Sequence, residues 1–372
     1  MEVKRQYGID LLRILSMFMI IVLHILMQGG IFKAVKPLSH QFDVAWMLEA
    51  LCICAVNCYA LISGYVSVNG TKLKLHKIAV LWLQVVFYTI LFTAVFGALK
   101  FGGEGYTYEI WKKSIFPVFT NHYWYFSCYF ALFFFIPFLN KMINALREKE
   151  LKMLFLIIVV VISVLPTVFR TDVFKISKGY SVIWLMMLYI LGGITKRLHT
   201  VKLKVLPLLA GYAACAAVAF VFLYAVNKTG TDKVSDQLLY SYSAPTILLA
   251  AYFLFLAAIN MDIKFKPAVF LIRWFSPLSF SVYIIHTNYW IWNFVMKNRF
   301  ADYAKLRSIK LAAAVLLTAF AIYFFCSAID AVRLYIFKVT RLSSLLERLE
   351  NKIFKRQNTK DEVRLPEKTK SS

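Results

Sequence analysis

The stretch D-L-L-R-I-L-S-M-F-M-I-I-V-L-H-I-L-M-Q-G-G, residues 10–30, decides the fold. Its ionisable residues are Asp10, Arg13 and His24, set in an otherwise apolar run. An α-helix rises about 1.5 Å per residue, so some 20 such residues cross the ~30 Å hydrocarbon core of a bilayer. A cleaved signal segment has a shorter, uncharged apolar run, so this one is expected to remain as a membrane helix. Working outward, nine more apolar runs follow, at roughly 44–66, 78–99, 122–140, 153–169, 180–195, 205–227, 243–260, 275–296 and 310–330. The predicted fold is an all-α polytopic membrane protein, a bundle of about ten transmembrane helices. Composition agrees: 60% of the residues are hydrophobic and only 17% charged, against about a quarter charged in a soluble domain. In water such a chain would expose large apolar patches, which excludes a soluble fold.

The net charge of +24 is carried by Lys and Arg in the short gaps between apolar runs and in the C-terminal tail. That distribution is a set of topology signals and an attraction to anionic membrane lipid; it excludes a nucleic-acid partner. Ten spans put both termini on one side, and the positive-inside rule places them in the cytoplasm once Arg333, Lys338, Arg341 and Arg348 are counted. Residues 67–77 are then expected inside and residues 100–121 outside a plasma membrane. Two domains are expected: a transmembrane domain over 1–332 and a cytoplasmic tail over 333–372. In the tail, residues 333–356 read as a basic amphipathic helix along the inner leaflet, and the last fifteen or so as disordered. The six Cys lie in apolar runs with no zinc spacing, so no metal is expected.

Ionisable groups inside a span are costly, and each is a functional candidate. Arg13 and His24 are eleven positions apart. At about 100° per residue they lie within some 20° of one face, and about 16.5 Å apart along the axis. Asp10 pairs with Arg13 at i,i+3. A snorkelling arginine explains Arg13 blandly, but His24 is costlier than a leucine. Glu49 is expected at the depth of His24 on the next helix, either as a carboxylate orienting the imidazole or as an interfacial acid facing water. His286 falls in the ninth run. Lys72, Lys74 and Lys77 form a basic inner loop that reads as a topology signal or a phosphate site, as does Arg273. His122 sits at the outer edge of the fourth run, to touch an acceptor or simply the interface.

The spacing R-x10-H resembles the hallmark of the membrane acyltransferase-3 family. C-Y-A-L-I-S-G-Y-V (58–66) resembles its S-G-aromatic stretch, and S-F-S-V-Y-I-I-H (279–286) its closing motif. H-Y-W-Y-F-S-C-Y-F-A-L-F-F-F-I-P-F-L-N (122–140) is similar to members that modify cell-surface sugars. The resemblance covers residues 7–330 in order. It implies an acyltransferase that moves an acyl group, usually acetyl, from a cytosolic thioester to a hydroxyl of an extracytoplasmic glycan or lipid-linked saccharide. Acetyl-CoA is then a donor substrate, with no bound cofactor, and the work is O-acetylation in polysaccharide biosynthesis. His24 is expected as general base, with Glu49 and His286 beside it as catalytic residues. Arg13, Asp10, Lys72, Lys74 and Lys77 are expected at the donor. Ser63, Gly64, Tyr65, His122, Trp124 and Tyr283 are expected to line the acceptor side. Buried Arg, Glu and His also suit a small-solute transporter, and a glycan polymerase or flippase is the third possibility.

Overall fold

A computed structural model describes residues 5–100, 107–120, 123–231 and 233–363. His122 and Asn121 lie outside the described residues, as does the tail beyond residue 363. Among the described residues there are helices and no strands. Nine helical segments among the described residues are long and apolar enough to cross a membrane, so the chain is an all-α polytopic membrane protein. The remaining expected span, 180–195, is a helix of 17 residues. At about 25 Å it lies at the short end of what a bilayer needs.

Helix α1 (Tyr7–Met27) is the axis of the bundle. Ile21, Val22, Ile25 and Leu26 on it are fully buried, because other helices surround it. The second expected span is broken into α2 (His40–Cys52) and α3 (Ala55–Ser67). The break has a cause: the Tyr212 hydroxyl donates to the Leu51 carbonyl at 2.6 Å, inserting a side chain where the helix ladder would continue. After α4 (Leu75–Ala98), α5 (Trp124–Ala145) and α6 (Glu148–Phe169) comes α7 (Val182–Leu198), started by the Ser181 side chain on Trp184 N. Helices α3 and α7 touch backbone to backbone. A methyl group on Gly64 would collide with the Tyr189 carbonyl, and one on Gly192 with the Leu61 carbonyl. Close helix approach through small residues is how membrane helices pack without a hydrophobic driving force.

Helices α8 (Val205–Thr229) and α9 (Pro245–Asn260) pack on each other and lead to the last third of the bundle. There the expected span 275–296 is shifted. Helix α10 (Lys266–Phe275) starts with Pro267 in its first turn, and a tight turn at 276–278 joins it to α11 (Ser279–His286). The span therefore covers Lys266–His286, and His286 is its last residue, not a mid-span one. Helix α12 (Ser308–Val339) has 32 residues and runs straight through the expected domain boundary at 333. Arg341 in a left-handed conformation separates it from α13 (Leu342–Val363). Glu350 of α13 accepts from the backbone N–H groups of Leu75 and His76 and bonds the His76 ring at 2.5 Å. A tail carboxylate thus caps the start of α4, so the tail helix docks on the bundle at this point.

Candidate active site

Helix α1 carries His24 to the C-terminal end of α11, where His286 waits. His24 Nδ1 and His286 Nε2 are 2.8 Å apart, and His286 is buried. His286 Nδ1 lies 2.5 Å from the Val282 carbonyl. A carbonyl only accepts, so the proton of neutral His286 sits on Nδ1 and its Nε2 is an acceptor. His24 must then donate from Nδ1, which leaves the lone pair of its neutral ring on Nε2. No described residue hydrogen-bonds that nitrogen. The Trp292 indole stands edge-on to the His24 ring, 4.8 Å between centroids at 89°. A histidine with one nitrogen anchored and the other bare is arranged as a base.

Two cavities meet at this ring. Leu23, His24, Trp124, Tyr242 and Tyr283 line both. The narrow one, about 50 Å³, extends along α1 past Met17 and Ile20 to Tyr59 and Phe280. Tyr59 donates its hydroxyl to the Arg13 carbonyl at 2.7 Å, so this cavity points toward the turn that holds Arg13. The wider one, about 350 Å³, extends the other way past Met27 to Glu49, Tyr180, Tyr289 and Asn293. Trp124 and Tyr283 stand in the walls of both cavities.

Glu49 is not the partner of His24. It lines the wider cavity, its Oε2 is buried without a hydrogen-bond partner, and the nitrogen it was expected to orient is bonded to His286. The S-G-Y stretch also departs from expectation. Ser63 Oγ donates back to Tyr59 O at 3.0 Å, and Gly64 is the contact point with α7. Tyr65 packs on Phe255 with Lys196 Nζ 4.5 Å over its ring. None of the three lines either cavity. Small residues at helical spacing read alike whether they face a ligand or a helix, and here they face a helix.

At the other end of α1, Asp10 is buried and bonded through both carboxylate oxygens. It accepts from Arg13 Nη1 at 2.8 Å, Arg5 Nε at 2.6 Å and Ser276 Oγ at 3.0 Å. A carboxylate cannot also face a phosphate, so Asp10 leaves the expected donor contacts and becomes the anchor of two arginines. Arg13 spends one nitrogen on it and remains 32% exposed. An open cleft of about 1140 Å³ lies at this end, lined by Arg5, Tyr7, Lys264, Lys266 and Arg273 among others. Arg273 donates to the Tyr7 hydroxyl from Nε at 2.9 Å. Of these basic residues only Arg273 stood out in the sequence; Arg5, Lys264 and Lys266 join it because the start of α1 packs between the end of α9 and the last turn of α10. Lys72, Lys74 and Lys77 are exposed and do not line the cleft. They flank the start of α4, where Glu350 docks.

A second buried cluster escaped the sequence altogether. Arg333 donates to Asp330 through Nε and Nη2, both at 2.8 Å, and Tyr88 donates its hydroxyl to the same carboxylate at 2.7 Å. Ser281 and Gln84 complete the group. Arg333 was expected as an exposed topology charge, but it is buried. The i,i+3 spacing D-x-x-R was the available signal. Among the described residues no group of three His, Cys, Asp or Glu side chains is placed to hold a metal ion.

Fold and site together describe an integral membrane protein with a buried histidine pair at the junction of two cavities. Residues 6–331 match the family model described as an acyltransferase domain, the acyltransferase-3 family, and the chain belongs to that family. It is a membrane acyltransferase. The match starts just before α1 and ends between Asp330 and Arg333. No curated protein and no solved structure matches the chain.

Proposed function

We propose that the enzyme moves an acyl group, in the first instance acetyl, from cytosolic acetyl-CoA to a hydroxyl of a cell-surface glycan or lipid-linked saccharide. It does so in the plasma membrane, with both termini in the cytoplasm. The observation that carries this reading is the His24–His286 pair, whose hydrogen bonds leave a free lone pair on His24 Nε2. From that nitrogen the chemistry follows. His24 takes the proton of the acceptor hydroxyl as its oxygen attacks the thioester carbonyl carbon. The C–S bond breaks, and the departing thiolate recovers the proton from the imidazolium. His286 holds the ring by accepting from Nδ1–H, the orienting role usually given to a carboxylate.

The two ends of α1 support a division of labour. At the inner end the free part of the Arg13 fork and the basic cleft suit the phosphates of a coenzyme A. The narrow apolar cavity from Tyr59 to His24 suits its thin pantetheine arm, and the wider cavity suits the acceptor. The test uses inside-out vesicles with radiolabelled acetyl-CoA and endogenous glycan. His24→Ala is expected to lower labelling by about 10²–10⁴-fold at unchanged protein abundance, as loss of a positioned base does. Wild-type labelling by that variant would remove His24 from the reaction. Labelling by wild type from acetyl-CoA supplied only on the outer face would reverse the proposed topology.

A further inference from the structure

The tail helix α13 meets the bundle with one face only. Leu342, Leu346 and Glu350 recur at helical spacing and are half-buried, and Glu350 holds the start of α4 through Leu75 and His76. Leu345, Leu349 and Ile353 are left uncovered, at 52%, 47% and 59% exposure. At about 100° per residue this stripe runs beside the docked row. Arg348 and Lys352, both exposed, border it on the side away from Glu350, while Ser343, Glu347 and Asn351 take the opposite side of the helix. An apolar edge with a cationic border and a polar back suits the boundary between acyl chains and headgroups. Helix α12 places the edge there. It is a spanning helix whose last turns still expose Leu334, Tyr335 and Val339, and only Thr340 and Arg341 separate it from α13. What covers the stripe is therefore lipid.

Docking of the tail sets a second cationic element alongside. Lys74 and Lys77 flank the two residues that Glu350 holds, and Lys72 precedes them. All three are exposed, and none lines the basic cleft or the cavities at His24. Glu350 is already bonded to two backbone N–H groups and the His76 ring. Among the described residues Lys72, Lys74, Lys77, Arg348 and Lys352 form no ion pair. Cations gathered at a membrane edge without paired carboxylates attract the phosphates of anionic lipid.

We propose that α13 and the loop before α4 together form a docking surface for the anionic phospholipid headgroups of the membrane that the bundle spans. Leu345, Leu349 and Ile353 enter the acyl-chain boundary, and the cations of both elements engage the headgroups. Glu350 fixes the helix to α4. The surface is separate from the acyl-transfer site, and it is tested without donor or acceptor.

The test is hydrogen–deuterium exchange at residues 342–353 of the full-length protein, one copy per nanodisc. Discs of phosphatidylcholine are compared with discs that also contain phosphatidylglycerol. Each basic residue at an anionic surface contributes about fivefold to its partitioning. Phosphatidylglycerol is therefore expected to slow exchange on the order of tenfold. Salt at about 1 M, which screens charges beyond about 3 Å, is expected to abolish the gain. The double variant Arg348→Glu, Lys352→Glu should exchange at least as fast in anionic discs as in neutral ones. Leu345→Ser with Leu349→Ser removes the apolar edge and should lose protection in both.

Equal exchange of the wild type in the two discs would overturn the proposal, as would a gain that survives the charge reversal. Glycerol phosphate producing the same slowing in neutral discs would also overturn it, making the surface a site for soluble anions. Slowing in neutral discs that appears only with two copies per disc would do so as well, making the stripe a contact between copies.

Discussion

The sequence D-L-L-R at 10–13 and the sequence D-A-V-R at 330–333 are the same motif, an Asp–Arg pair one helical turn apart inside a membrane segment. Their surroundings make them opposites. At 330–333 both guanidinium nitrogens facing the carboxylate are used, the arginine side chain is 6% exposed, and Tyr88 closes the remaining space. At 10–13 the arginine gives Asp10 a single nitrogen and stays 32% exposed near the N-terminal end of α1. One pair is a closed unit; the other presents an open cation. The number of hydrogen-bonding groups left over after local pairing separates a structural ion pair from one that can meet a ligand.

The largest expected effect tests the closed pair. Asp330→Ala leaves Arg333 as an uncompensated buried charge and is expected to cost about 3–5 kcal/mol. Thermal melting of the detergent-solubilised protein should fall accordingly. The double variant Asp330→Leu, Arg333→Met should regain most of that loss, since an apolar pair of similar size replaces a buried ion pair at little cost. A double variant as unstable as the single one would show that the pair does more than neutralise itself.

The open pair should respond in kinetics rather than stability. Lysine keeps the charge of Arg13 but not its planar fork. Arg13→Lys is expected to raise the apparent KM for acetyl-CoA in inside-out vesicles on the order of tenfold, with abundance unchanged. Equal KM in wild type and variant would dissolve the contrast between the two motifs. The smaller of the two stability effects belongs to the rim of the closed pair. Tyr88→Phe removes one bond to the Asp330 carboxylate and should destabilise by about 1.5–3 kcal/mol. A stability change in Arg13→Lys larger than in Tyr88→Phe would reverse the assignment.

Much of the membrane architecture could be read along the chain because it is written locally. A run of some 20 apolar residues has few alternatives to a spanning helix, since lipid offers backbone groups no partners outside their own helix. The places where expectation and structure part are those where a distant residue intervenes. Tyr212 breaks the second span at Leu51 and Glu350 of the tail reaches Leu75, whereas the ninth span begins nine residues early, at Lys266, for a local reason, Pro267 in its first turn. The candidate site followed the same rule. His24 and Arg13 stood out because a single helix sets their common face. His286 was visible as a residue, but its bond to His24 joins positions 262 apart in the chain.

The sequence by itself determined that this chain crosses a membrane many times, carries a cation and an imidazole on one face of its first helix, and resembles a family of acyltransferases. Hydrophobic length and helical period suffice for all of that. Only the tertiary structure decided that His286 rather than Glu49 holds His24, and that the S-G-Y stretch seats a helix. Only it showed that Arg333 is buried while Arg13 stays open. Each of these depends on which group a polar atom finds as its partner, and in a helical bundle most such partners come from other helices.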